Sequence, residues 1–153
     1  GQTYRVYISC LTQLNLDRHN RISTTDTRLL RRTIRDARER GYNAQQTISR
    51  WESVTRGEKQ HIFPYQENAD ELFNSALVYD VPAIRPIAEP LLRQVPFGCP
   101  EYIEAKRLLS FLEWFLPIDI EMIPDNSILR EFVGGSILKD FKLWEDKPNG
   151  NGH

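Results

Sequence analysis

The spacing of apolar positions changes along the chain, and each spacing predicts a different element. Tyr4-Arg5-Val6-Tyr7-Ile8-Ser9 alternates, is rich in β-branched and aromatic residues, and sets Val6 and Ile8 on one face, which predicts a strand. Leu11 to Arg21 is polar and broken, a loop. The period then becomes helical, with Leu30, Ile34 and Ala37 at i, i+4 and i+7 forming an inward stripe. Ser23-Thr24-Thr25-Asp26 supplies N-cap candidates and an acid at the positive helix end. Gly41 suits the position just past a helix ending near Arg40. A second helix is expected from Asn43 or Ala44 to about Val54, with Ile48 and Trp51 on its apolar side. Arg56 to Glu67, which contains Gly57 and Pro64, reads as a helical turn mixed with loop, and Glu67 to Phe73 as a further turn of helix. Ala76-Leu77-Val78-Tyr79 reads as a second strand, ended by Pro82.

From Ile84 onward the pattern is helical. Pro86 suits a first turn, and Ile87, Leu91, Leu92 and Val95 supply apolar surface, interrupted by Pro90. Pro96 to Pro100 is a linker. The most apolar helix is expected from Glu101 to about Leu116. Its seam is Tyr102, Ala105, Leu109, Leu112 and Leu116, widened by Leu108, Phe111 and Phe115. Pro124 to Arg130 reads as a cap leading into a short helix, Ser127 to Phe132, ended by Gly134-Gly135. The segment 148–153 reads as a disordered tail.

The 153 residues carry a formal charge of −1, with 40% hydrophobic and 27% charged positions. This near-neutral balance argues against a general nucleic-acid or membrane-surface binder. No window approaches the roughly 18 consecutive apolar residues of a membrane span. Cys10 and Cys99 are far apart and form no CxxC, which argues against a disulfide scaffold or structural zinc and fits a reducing cytosol. A cytoplasmic location is the expectation. The first residues carry no signal-type apolar run, and an opening Gly1 in place of Met reads as a fragment of a longer chain or a cloning scar.

Against that neutral background six arginines, Arg28, Arg31, Arg32, Arg35, Arg38 and Arg40, fall within thirteen residues on one expected helix. Guanidinium is planar, always charged and able to donate paired hydrogen bonds, so such a cluster suits phosphate. Arg28, Arg32 and Arg35 are assigned to one face; Arg31 and Arg38 are assigned to surface or interdomain salt bridges. The plain alternative is a solvated face knitted by i, i+4 pairs, with Asp36 and Glu39 opposite Arg32 and Arg35. His19 and His61 lack companions, and Asp17 with His19 supplies two ligands only, so no metal site is expected. Trp51 is expected in the core rather than as a stacking platform, and Arg56 and Lys59 as exposed charges.

The run Asp26-Thr27-Arg28-Leu29-Leu30-Arg31-Arg32-Thr33-Ile34-Arg35-Asp36, followed by Glu39-Arg40-Gly41, resembles the D-x-R-L-x-R-R-x-x-R-D-x-x-x-R-G run of uridine kinase-like P-loop kinases, the phosphoribulokinase/uridine kinase family. The strand Tyr4–Ser9, and Ala69-Asp70 with the expected strand at Ala76, are similar to the flanking parts of that domain. Asn20–Asp26, Phe73–Tyr79 and Asn126–Gly135 resemble a longer bacterial branch in which a threonyl-tRNA-synthetase-like region precedes the kinase. The resemblance implies a mainly α chain with a small parallel β component. Residues 1–82 would be the C-terminal part of a P-loop kinase domain with its lid helices, 83–140 a helical extension, and 141–153 a tail.

It also implies ATP and Mg²⁺ as cofactors, held mainly by a part not in this sequence, and transfer of the γ-phosphate to a nucleoside 5′-hydroxyl. Arg35 and Arg40 match lid arginines that contact the ATP phosphates and become the catalytic candidates. Arg28, Arg32, Tyr42 and Arg50 become substrate-binding candidates. Tyr42 stands where the family has an arginine, and Arg50 where it has a base-reading glutamine. No G-x-x-x-x-G-K-[ST] phosphate loop occurs in the chain, so the expectation is a lid without the chemistry. Without the P-loop strand, a hydrophobic sheet edge is expected to pair with a second copy, to change its packing or to be covered by the C-terminal helices. Those helices are a second expected route to a homodimer. The alternative function is an RNA- or tRNA-binding module that uses the arginine helix.

Overall fold

The computed structural model describes residues 3–12, 15 and 22–137. The expected tail at 148–153, most of the loop at 11–21, and Asp17 and His19 lie outside the described residues. The order is strand β1 (Val6–Ser9), helix α1 (Thr24–Glu39), helix α2 (Ala44–His61), a 3₁₀ helix (Phe63–Asn68), strand β2 (Glu71–Asn74), helix α3 (Asp80–Arg93), helix α4 (Glu101–Leu112), a 3₁₀ turn (Ile120–Met122) and helix α5 (Arg130–Val133). The chain is thus mainly helical with one small parallel sheet. No described helix is long and apolar enough to cross a membrane.

Local chemistry sets the first two helices. The Ser23 hydroxyl accepts from the Asp26 N–H, and Asp26 sits in the first turn of α1. At the far end the Arg40 N–H reaches the Asp36 carbonyl and Gly41 takes φ +66°, a turn conformation that L side chains resist. Helix α2 opens with a reciprocal capping box between Asn43 and Gln46. It runs through Gly57 to His61, well past Val54, because one glycine in a capped helix costs only about 1 kcal/mol.

The second strand lies five residues before its expected place. Glu71–Asn74 pairs with β1 in parallel, from Val6 opposite Glu71 to Ser9 opposite Asn74. The turn of helix expected over Glu67–Phe73 is therefore partly strand. Ala76–Tyr79 instead leads into α3: the Leu77 N–H donates to the Asp80 carboxylate, and the Asp80 N–H returns to the Leu77 carbonyl. These local bonds occupy backbone groups that a sheet ladder would need. The Asn74 side chain extends the pairing by bonding both the N–H and the carbonyl of Leu11.

Helix α3 begins four residues before Ile84, so Pro86 and Pro90 lie inside it. Pro86 deprives the Pro82 carbonyl of its helical donor, and the Ile118 N–H takes that place at 3.3 Å. Helix α4 ends at Leu112 rather than near Leu116. Trp114 and Leu116 are exposed, and the buried seam is Ala105, Leu108 and Leu112. Helix α5 is shorter than the expected Ser127–Phe132.

One hydrophobic core joins Leu29, Leu30 and Ile34 of α1 to Ile84, Ala88 and Leu92 of α3, to the α4 seam, and to Ile123, Leu129 and Phe132. The helices pack on one another, α3 against α1 and α4, and α2 against α1 and α4. The sheet keeps Val6, Ile8, Leu72 and Phe73 about half exposed or more.

Candidate functional site

A cavity of 510 Å³ opens between α1, β1, α2 and α5. Arg28, Arg31, Arg32 and Arg35 all line it, with Trp51 and Glu58 from α2, Cys10 after β1, and Phe132 from α5. At about 100° per residue these four arginines span an arc of roughly 100° on α1, opposite the Leu30–Ile34 stripe. Their convergence follows from helical periodicity once the helix is in place.

Each guanidinium has a distinct setting. Arg28 is ion-paired with Glu58 and lies 5.8 Å over the Trp51 ring. Arg31 donates to Asp80 and to the Ser75 carbonyl, and its guanidinium lies 5.0 Å from the Phe132 ring centroid. Arg32 donates through Nε to Asp36 at 2.9 Å; among the described residues its terminal nitrogens have no hydrogen bond. Arg35 pairs with Glu131 at 2.7 Å, and its guanidinium also lies over the Phe132 ring, 5.2 Å from the centroid.

The place of Arg31 in the arginine run predicts a surface or interdomain salt bridge. The structure corrects this: Arg31 is buried and lines the cavity. Arg38 does reach away from the cavity, donating to the Glu131 and Phe132 carbonyls. Asp36 takes both Arg32 and Arg40, whereas Arg35 finds Glu131 in place of Glu39.

The other candidates lie apart. Arg40 is tied to Asp36 at 2.7 Å, and Arg50 stacks on Tyr42 at 4.5 Å; neither pair lines the cavity. Trp51 is half-buried at the cavity wall as well as packed against the core. Arg56 pairs with Glu52 on the exposed side of α2. His61 closes α2 beside the strand edge.

Sequence reasoning misses Arg31, Glu58, Glu131 and Phe132 as site residues. Arg31 is recoverable, since it falls three residues from Arg28 and four from Arg35. The other three come from later segments that only folding brings near.

The three buried side-chain polar atoms that lack a hydrogen bond among the described residues are Arg31 Nε, Arg35 Nε and Glu58 Oε2. Unsatisfied buried groups are scarce in folded proteins, and here all three sit on side chains of the cavity wall. Burial pushes the Cys10 thiol above its ordinary pKa, against the opposing pull of Arg31. Among the described residues no group of three His, Cys, Asp or Glu side chains forms a metal site. The arginines fit phosphate, and Mg²⁺ would depend on ligands from elsewhere.

No protein-family model, curated protein or solved structure matches the chain.

Proposed function

We propose that the cavity receives the phosphate of a nucleotide. In this reading the chain is the lid and C-terminal portion of an ATP-dependent, uridine kinase-like phosphotransferase. The supporting observation is the convergence of four guanidiniums from one helix on a single cavity whose lining includes one carboxylate, Glu58. Phosphoryl transfer is catalysed mostly by positioning and charge stabilisation, the contribution such a surface makes. Arg32 and Arg35 would hold the anion, Arg31 and Phe132 would fix its floor, and Trp51 would offer an apolar wall to the rest of the ligand. A phosphate loop supplied by another segment would bring the γ-phosphate and Mg²⁺; this chain alone would bind without transferring. Arg40, Tyr42 and Arg50 do not line the cavity and are given no part in holding the anion in this reading.

Calorimetric titration of the chain with ATP, ADP and uridine at low salt tests the reading. Binding of the phosphorylated ligands is expected, weakened tenfold or more in Arg32→Ala and Arg35→Ala on the order of a lost charge-assisted bond. Failure of every nucleotide to bind overturns it. Binding of single-stranded RNA with a steep salt slope would favour the nucleic-acid alternative instead.

A further inference from the structure

The geometry points to Glu131 as an internal counter-ion that an incoming anion must displace from Arg35. This inference rests on the anion-binding reading of the cavity. The Glu131 carboxylate lies 2.7 Å from the Arg35 guanidinium, the position a phosphate oxygen would take in that reading.

The placement is imposed by more than the pair itself. Arg38 holds the backbone carbonyls of Glu131 and Phe132 at 2.9 and 2.8 Å. The Phe132 ring lies within 5.0 and 5.2 Å of Arg31 and Arg35. Three arginines of α1 therefore fasten α5 to the rim of the cavity, and the Glu131 side chain is delivered onto Arg35 by a backbone already fixed.

A half-exposed ion pair is weak, because water screens it and two long side chains lose freedom. Weakness suits exchange. A carboxylate paired with Arg35 can be replaced by a phosphate that also reaches the terminal nitrogens of Arg32, which have no hydrogen bond among the described residues. The gain at Arg32 favours the exchange, and the loss of the Glu131 contact opposes it. The free protein thus keeps Arg35 neutralised until a multiply charged ligand arrives, and Glu131 sets how tightly that ligand is held.

The test is calorimetric titration with sodium pyrophosphate and with inorganic phosphate at low ionic strength. It compares the wild-type chain, Glu131→Gln and a control, Glu67→Gln. Glu67 is exposed and has no ion pair among the described residues, so it removes the same charge without touching Arg35. Glu131→Gln is expected to tighten both anions by about two- to fivefold, the range an exposed pair commands, while Glu67→Gln changes little. Circular dichroism checks that each variant is folded. Unchanged or weaker binding in Glu131→Gln overturns the counter-ion role and leaves the cavity reading standing. Equal tightening in both variants reduces the effect to long-range charge and also overturns it. Absence of binding to all three proteins removes the cavity reading and this inference together.

Discussion

Arg31 and Asp80 form a buried ion pair that ties the arginine helix to the start of α3. Their side chains are 7% and 3% exposed, and the Arg31 Nη2 lies 2.6 Å from Asp80 Oδ1. The same guanidinium bonds the Ser75 carbonyl, and the same carboxylate accepts the Leu77 N–H. One contact therefore fixes the end of β2, the turn into α3 and the floor of the cavity.

Removing either partner leaves an uncompensated charge at a buried position. Arg31→Met and Asp80→Leu are each expected to lower unfolding free energy by about 3–5 kcal/mol. The double variant should lose less than the sum of the two. Urea denaturation of the four proteins measures this, and strict additivity would show that the pair is not coupled.

Phe132 is buried in the core while also serving as the platform for Arg31 and Arg35. Phe132→Ala is expected to cost about 3–5 kcal/mol by cavity formation. Phe132→Leu should recover much of the packing and none of the guanidinium–ring contact. If Phe132→Leu matches wild type in both stability and phosphate affinity, the ring has no role beyond filling space.

The two free thiols should react at different rates. Cys10 is buried, and desolvation raises its pKa, whereas Cys99 is only partly buried. Iodoacetamide at pH 8 is expected to label Cys99 first, since thiolate is the reactive form. The raised pKa also has a stability sign. The neutral thiol is favoured in the folded state, so this contribution is full below the unfolded pKa and is lost as pH rises through the folded one. Faster labelling of Cys10, read by peptide mass spectrometry, would contradict its burial.

Gly41 occupies φ +66°, and no neighbouring atom lies within 4 Å of the place a Cβ would take, so strain rather than space limits the position. Gly41→Ala should destabilise the chain by about 1–2 kcal/mol. Thermal melting checks this, and an unchanged or raised Tm would mean that the α1–α2 turn relaxes freely.

Features governed by neighbours in sequence are legible without the fold. Ser23, Asp26 and Gly41 bound α1, and Asn43 opens α2, because caps are local hydrogen-bond problems. The β1 strand and the Pro96–Pro100 linker are readable for similar reasons. The arginine face is partly legible: Arg28, Arg32 and Arg35 do line one cavity, and Arg31 joins them by the same periodicity.

Other features depend on distant segments. Ala76–Tyr79 has higher strand propensity than Glu71–Asn74, yet the latter pairs with β1, since the Asp80 carboxylate draws Leu77 into a turn. Pro86 sits inside α3 because Ile118 supplies the donor that its own helix lacks. Sequence by itself determined where α1 starts and stops, where α2 starts and how charge is distributed along them, through bonds spanning a few residues. Tertiary structure alone decided which carboxylate neutralises which arginine, because Glu58, Asp80 and Glu131 reach α1 only when separate helices bury a common apolar core.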